Sequence, residues 1–229
     1  MAALLVSAVA IDAALEVQWA QTVMRKAGSD DLLKDMPPMK LVKMEKPTKK
    51  ALSVNHGTKF QTILGFGGAF TEASALNWRT LCKKDQDEVI RLYFAKPSEG
   101  GLGYTVGRVP MNSCDFGPGD PKRTYSFDDV DGDVDLEHFD DTVQHDVESG
   151  MIPMIQAAME AAGGPKAFSL FASPWSPPAW MKLPVDGVRS MTRTAVPNGL
   201  DPAMQRPWAK YFSRFISAYK SHGIPMWGA

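Results

Sequence analysis

The side chains able to do chemistry fall in three short segments, each directly after an apolar run. The first is Gly65-Phe66-Gly67-Gly68-Ala69-Phe70-Thr71-Glu72. Its glycine density suggests a phosphate-binding turn, but Phe70 stands where a dinucleotide fingerprint needs its third glycine, and no Walker lysine follows. It reads better as a strand end packed too closely to admit side chains, with Glu72 either capping the next helix or facing a site. The second is Arg108-Val109-Pro110-Met111-Asn112-Ser113-Cys114-Asp115-Phe116. It sets a guanidinium at a strand end and a carboxylate beside an aromatic ring in the following loop. A buried Arg108 is costly without an anion, so a carboxylate from another strand is the expected partner, in a structural ion pair or in a site. Asp115, ahead of Phe116-Gly117-Pro118-Gly119, equally suits a tight turn. The third segment, Ala172-Ser173-Pro174-Trp175-Ser176-Pro177-Pro178-Ala179-Trp180-Met181, holds two tryptophans in a loop whose prolines remove backbone freedom. An indole face can stack on the apolar face of a sugar while its N–H donates to a hydroxyl; alternatively an indole plugs the core. One of each is expected.

Other constellations fail on spacing. Asp128 to Glu137 imitates a calcium loop, yet counting back five positions from Gly132 puts Phe127 where the first ligand belongs. A solvated acidic loop is the expectation there. His138 and His145 lie near acids without a third ligand of suitable spacing, so neither a metal nor any other cofactor is expected. Ser113 and Ser173 have no histidine in an activating motif. Cys82 and Cys114 are the two cysteines, which excludes a disulfide framework and leaves one incidental bridge open. The net charge of −1, from 25 basic and 26 acidic side chains with no basic cluster interleaved with aromatics, argues against a nucleic-acid partner. No run approaches the roughly 20 apolar residues needed to cross a bilayer, so stable membrane insertion is not expected. The apolar run Ala2 to Ala10 is short and lacks preceding basic residues, which leaves a secretory signal open.

These segments need a scaffold, and the surrounding pattern supplies one. Residues 1 to about 50, with Met36-Pro37-Pro38-Met39, read as irregular or edge β structure. From Gln61 onward, short apolar runs alternate with stretches of helical period. The first run is Thr62–Gly68, followed by a helix capped at Asp85 whose buried face is Val89, Leu92 and Tyr93, ended by Pro97 and Gly100-Gly101. The second is Tyr104–Pro110, followed by the acidic loop and a helix burying Ile152, Ile155, Met159 and Ala162. The third is Phe168–Ala172, followed by the clearest helix, with Trp208, Tyr211, Phe212, Phe215, Ile216 and Tyr219 on one stripe and Gly223 and Pro225 at its end. A fourth run opens at Ile224. Such alternation predicts an α/β fold with a parallel sheet, here about the first four strands of a (β/α)₈ barrel, whose functional groups sit on the loops after the strands' carboxyl ends. Three complete units and part of a fourth are expected, with the chain ending inside the fourth strand.

Taken together, GFGGAFTEAS (65–74), GRVPMNSCDF (107–116), YSFDD (125–129), LEHFD (136–140) and LFASPWSPPAWMK (170–182) resemble glycoside hydrolase family 30 of the glucosylceramidase type. The resemblance runs from Lys59 to the C-terminus. It implies a TIM barrel with an associated β-sandwich, to which residues 1–58 would contribute strands and 59–229 the first half of the barrel. It also implies retaining hydrolysis of a β-glucosyl bond, as in glucosylceramide, by an acid/base glutamate in an Asn-Glu-Pro motif after the fourth strand and a nucleophilic glutamate after the seventh. Neither glutamate is expected within these 229 residues, so this length alone should be inactive. By motif position, Asp115 resembles the carboxylate that accepts from glucose hydroxyls, and Trp175 the tryptophan of the same subsite. Arg108 resembles the arginine beside the nucleophile, and Phe116 an aromatic at the pocket rim. The implied partner is a β-glucoside or glucosylceramide, with possible access to lipid surfaces. The implied address is lysosomal, vacuolar or secreted. The alternative is a non-catalytic carbohydrate-binding or regulatory remnant.

Overall fold

The computed structural model describes residues 5–8, 16–23, 31–40, 55–117, 124–192 and 199–229. These belong to two compact units, Met1–Gln61 and Thr62–Ala229. In the first, strands β1 (Leu5–Ala8), β2 (Glu16–Val23) and β3 (Asp31–Lys40) form an antiparallel sheet in the order β1-β2-β3. The Pro37-Pro38 pair lies in β3, at the edge of this sheet, where the register shifts between Val17 and Trp19 of β2. Proline has no N–H to give a ladder, so an edge strand with an irregularity is where a sheet tolerates it. Trp19 Nε1 donates to the Pro37 carbonyl at 3.0 Å and ties the irregularity down. Of the apolar run considered as a signal, Leu5–Ala8 form β1, and its other residues lie outside the described ones.

The second unit carries the expected βα alternation. Its strands are β4 (Gly67–Ala69), β5 (Val106–Met111), β6 (Ser169–Pro174) and β7 (Met226–Gly228), all parallel and adjacent in sequence order. Helices α1 (Glu72–Thr80) and α2 (Lys83–Phe94) connect β4 to β5. Helices α3 (Gln144–Ser149) and α4 (Met151–Ala161) connect β5 to β6, and α5 (Gln205–Ser221) leads into β7. Sequence-ordered parallel strands with helical crossovers are the first four units of a (β/α)₈ barrel.

The first unit of this barrel departs from expectation. Only Gly67–Ala69 pair, and Ile63, Leu64 and Phe66 are exposed. Two helices replace the single one predicted to start at Asp85. Thr71 starts α1, its hydroxyl accepting from Ser74 N at 3.2 Å, and Asp85 falls within the first turn of α2. The buried stripe of α2 is Ile90 and Phe94, whereas Leu92 and Tyr93 are exposed. Ile90 and Phe94, four residues apart, share one helix face, and aromatic packing decides which face that is. Phe94 stacks on Phe70 at 5.6 Å and meets Phe168 edge-on at 5.9 Å. Gly107 passes between these rings, where a Cβ would lie 2.7 Å from Phe70 and 2.8 Å from Phe168. Gly67 is as tightly held, since a Cβ would run into the Val106 carbonyl, so the glycines close up a strand end as predicted.

The later units follow the predicted stripes. Ile152, Ile155, Met159 and Ala162 are buried, as are Tyr211, Phe215 and Tyr219 of α5. Val109, Met111, Leu170 and Ala172 join them in one core. Because side chains alternate along a strand, Arg108, Phe171 and Ser173 belong to the opposite face of the sheet.

Candidate functional site

The β5–β6 ladder runs in step from Val106 opposite Ser169 to Met111 opposite Pro174. Asn112 and Trp175 are therefore the first residues beyond two adjacent carboxyl ends, and the loops they open carry Asp115, Phe116 and the proline-rich segment. Trp175 is 50% exposed, and the Arg108 guanidinium lies over its ring, 5.8 Å from the centroid. That is a cation–π contact. The carboxylate expected to face Arg108 from another strand is not present: among the described residues Arg108 forms no ion pair. The neighbouring strands β4 (GGA) and β6 (SLFASP) contain no acid to serve as that partner.

Asp115 and Phe116 sit in a turn, both exposed, Phe116 at 59%. Pro118 and Gly119 lie outside the described residues. The loop is tied down on both sides of its tip. The Phe116 carbonyl accepts from Ala73 N of α1 at 3.0 Å, and Ser113 N donates to the Tyr125 carbonyl at 3.1 Å. Cys114 and Cys82 are free thiols, and burial pushes the Cys114 thiol up.

Beside this loop is a polar cluster in which Glu72, Asp146 and Tyr219 are buried and Tyr125 and His145 partly so. Glu72 neither caps α1, which Thr71 does, nor points to solvent; its Oε1 lies 2.8 Å from His145 Nε2. The His145 ring stacks on Tyr125 with centroids 3.5 Å apart. Tyr125 donates to Asp146 Oδ1 at 3.0 Å, and Tyr219 donates to Asp146 Oδ2. Burial alone would push the imidazole of His145 down, but its hydrogen bond to Glu72 and that carboxylate's charge carry it above its usual value. Burial pushes Asp146 up to about 6, against the two tyrosine hydroxyls that favour its charge.

Trp180 is buried in a single 3-10 turn, Ala179–Met181, and its Nε1 donates to the Asp128 carbonyl at 2.9 Å. The loop it touches is not simply a solvated one. Asp128 is 2% exposed, with Oδ1 accepting from Val130 N at 3.2 Å and Oδ2 without a hydrogen-bond partner among the described residues. Burial, then the neighbouring Asp133 charge, raise Asp128 to about 6, against the pull of the Val130 N–H. Asp133 accepts from Glu137 N at 3.0 Å and His138 N at 2.7 Å. Burial opposes its charge, yet these N–H groups and the His138 ring hold Asp133 down at about 2. The acids turn inward because a loop this tight has backbone donors that no strand or helix satisfies.

The residues that sequence reasoning missed are Asn112, Tyr211 in its polar role, and the Glu72–His145 pair. Glu72 and His145 stand 73 positions apart and meet only through the packing of α1 on α3. Asn112 carried a faint signal, being a small amide at the end of an apolar strand. Its φ of +70° is a left-handed conformation that asparagine adopts more readily than most residues. Among the described residues no group of His, Cys, Asp and Glu is arranged to hold a metal, and no described helix is long and apolar enough to cross a membrane. A cavity of about 410 Å³ opens on the helix side of β4, lined by Phe70, Trp78, Leu81 and Tyr93 among others, with no charged side chain. The loop after β5 carries an exposed acceptor, Asp115, and the loop after β6 an aromatic platform, Trp175, with the Arg108 cation over its ring, side-chain types that suit a polyhydroxylated ring.

Comparison with known proteins places the chain in a family. The glycosyl hydrolase family 30 TIM-barrel domain matches residues 63–229. "Putative glucosylceramidase 4" of Caenorhabditis elegans is 42% identical over 179 residues, covering 78% of this chain and 32% of that protein. "Lysosomal acid glucosylceramidase" of Mus musculus is 36% identical over 178 residues, covering 77% of this chain and 32% of its own. The chain thus spans about a third of the length of these curated relatives. Among solved structures, an endo-β1,6-glucanase superposes with a TM-score of 0.61 at 21% identity, over 86% of this chain and 38% of that one, which supports the fold.

Proposed function

The chain belongs to glycosyl hydrolase family 30, and from that membership we propose that it carries the glucose-recognising part of a retaining β-glucosidase acting on glucosylceramide or a related glycolipid. The observation that carries the reading is that an exposed carboxylate, Asp115, and a half-exposed indole, Trp175, stand on loops from adjacent strand ends. In the proposed mode Trp175 stacks on the glucose ring and Asp115 accepts from its hydroxyls. Arg108 then presents its charge toward the reacting centre, and Phe116 lines the passage of the aglycone. The family resemblance, with relatives named glucosylceramidases, supports the choice of sugar and bond.

Retaining hydrolysis needs two carboxyl groups roughly 5–5.5 Å apart, one protonating the leaving oxygen while the other attacks the anomeric carbon. No Asn-Glu-Pro motif occurs in these 229 residues. We assign both catalytic glutamates to sequence beyond them, residues 59–229 to the first part of the barrel, and residues 1–58 to an accessory segment. A lysosomal, vacuolar or secreted address is supported by the relative named lysosomal.

The test is a comparison of two polypeptides on a fluorogenic β-glucoside, with the product's anomeric form followed by NMR. The 229-residue chain should give no turnover, and the same residues within a chain carrying both glutamates should release β-glucose first. Turnover by the 229-residue chain free of longer contaminants, or release of α-glucose by the longer one, would overturn the reading.

A further inference from the structure

Asn112 is fully buried and forms the middle of a hydrogen-bond chain that crosses both site loops. Its Nδ2 donates to the Ser176 carbonyl at 3.1 Å. Its Oδ1 accepts from the Tyr211 hydroxyl of α5. That hydroxyl in turn accepts from Phe127 N at 2.7 Å. The direction of the chain is forced at both ends, because a backbone N–H can only donate and a backbone carbonyl can only accept. The link between them must accept on one side and donate on the other, which an amide does and a carboxylate does not.

The ends of this chain are well placed. Asn112 follows the last paired residue of β5 and precedes Asp115 by three positions, and Ser176 directly follows Trp175. Lys182, buried and with its amine pushed down by that burial, donates to Ser176 Oγ at 3.1 Å and holds the same residue from the other side. A left-handed backbone at a fully buried non-glycine residue is a cost that persists only where surrounding contacts enforce it. Here those contacts are the two bonds of the amide.

We propose that Asn112 is a positioning residue: its side-chain amide locks the loop bearing Asp115 to the loop bearing Trp175 and so fixes the distance between the two groups that would hold one sugar ring. The role assigned to that distance rests on the sugar-site reading, whereas the lock itself does not. Among the described residues the two loops share no backbone–backbone hydrogen bond beyond the ladder, and their other link, from Trp180 Nε1 to the Asp128 carbonyl, lies farther along both loops, so the amide is the tie beside Asp115 and Trp175.

The experiment uses the 229-residue chain with its six tryptophans replaced by 5-fluorotryptophan, the Trp175 resonance being assigned with Trp175→Phe. Asn112→Asp keeps the size, the acceptor toward Tyr211 and tolerance of the left-handed backbone, and loses the donor toward Ser176. Asn112→Gly relieves the backbone and removes both bonds, so that one of the two should remain folded. In the folded variant the Trp175 resonance should shift or broaden at neutral pH while that of Trp180 stays in place. Affinity for a gluco-configured iminosugar should fall roughly tenfold, as for loss of one buried hydrogen bond. An unchanged Trp175 resonance in a folded variant would overturn the lock. A shifted resonance in a chain whose parent binds no iminosugar would uphold the lock and reject the sugar-site reading.

Discussion

At the residue scale the two tryptophans of one loop separate by exposure, Trp175 half-open over Arg108 and Trp180 buried with its N–H on the Asp128 carbonyl. In an enzyme completed with both glutamates, Trp175→Ala should lower kcat/KM by about tenfold to a hundredfold with little change in melting temperature. Trp180→Phe should instead lower the melting temperature and leave kcat/KM of the folded fraction near the parent value. Equal kinetic losses would reject the division of labour. Protonation gives a second prediction. His145, Asp128 and Asp146 all hold their protons more tightly folded than unfolded. Their contribution is complete below their unfolded values, roughly 6.5 for histidine and 3.9 for aspartate, and is lost as pH rises through the folded ones. Asp133 and Asp140 act oppositely, contributing above the unfolded carboxylate value and losing that contribution as pH falls toward the folded one. The melting temperature should therefore peak at roughly pH 4 to 5 and decline toward pH 8. Asp128→Asn should flatten the decline, and a melting temperature that climbs steadily to pH 8 would contradict these assignments.

At the element scale the βα alternation was legible because each run is short, β-branched or aromatic and closed by glycine or proline, and because the α4 and α5 stripes repeat at three and four residues. The first unit was not legible to the same degree. Its strand shrinks to Gly67–Ala69, and the choice between Ile90/Phe94 and Leu92/Tyr93 as the buried pair is made by Phe70 and Phe168. Those rings come from the residue after β4 and the residue before β6, so no window of local sequence contains them together. The same holds for the Glu72–His145 pair and for the chain through Asn112, whose partners lie 64 and 99 positions away. In the acidic loop Asp129, Asp131, Asp135 and Glu137 are exposed as expected, but Asp128 and Asp133 turn inward, since composition reports charge and not whether a carboxylate bends back onto the loop's own N–H groups. Packing at Gly107 offers a check. Gly107→Ala drives a methyl against both rings and should destabilise the second unit by roughly 1–3 kcal/mol. An unchanged denaturation midpoint would mean that the aromatic cluster is looser than its contacts imply.

At the scale of the whole molecule, the four parallel strands stand in sequence order, with Val109, Met111, Leu170 and Ala172 on the face packed into the core and Arg108, Phe171 and Ser173 on the other. Trp227 of β7, 61% exposed, and Arg108 both lie at the parallel sheet, outside the helix-packed core. In the proposed function, recognition and catalysis would be divided along the sequence: the loops after β5 and β6 would hold the sugar, and the glutamates that cleave its bond would come from later strands. The division is physically sensible, because the carboxyl ends of all barrel strands open on the same side however far apart they are in the chain. The central claim is that Asp115 holds the glucose hydroxyls, and it is tested most directly by kcat/KM for a β-glucoside in the glutamate-complete enzyme carrying Asp115→Ala. Loss of a charged acceptor serving the sugar predicts a fall of about a hundredfold or more at an unchanged melting temperature, whereas a value within twofold or so of the parent would contradict it.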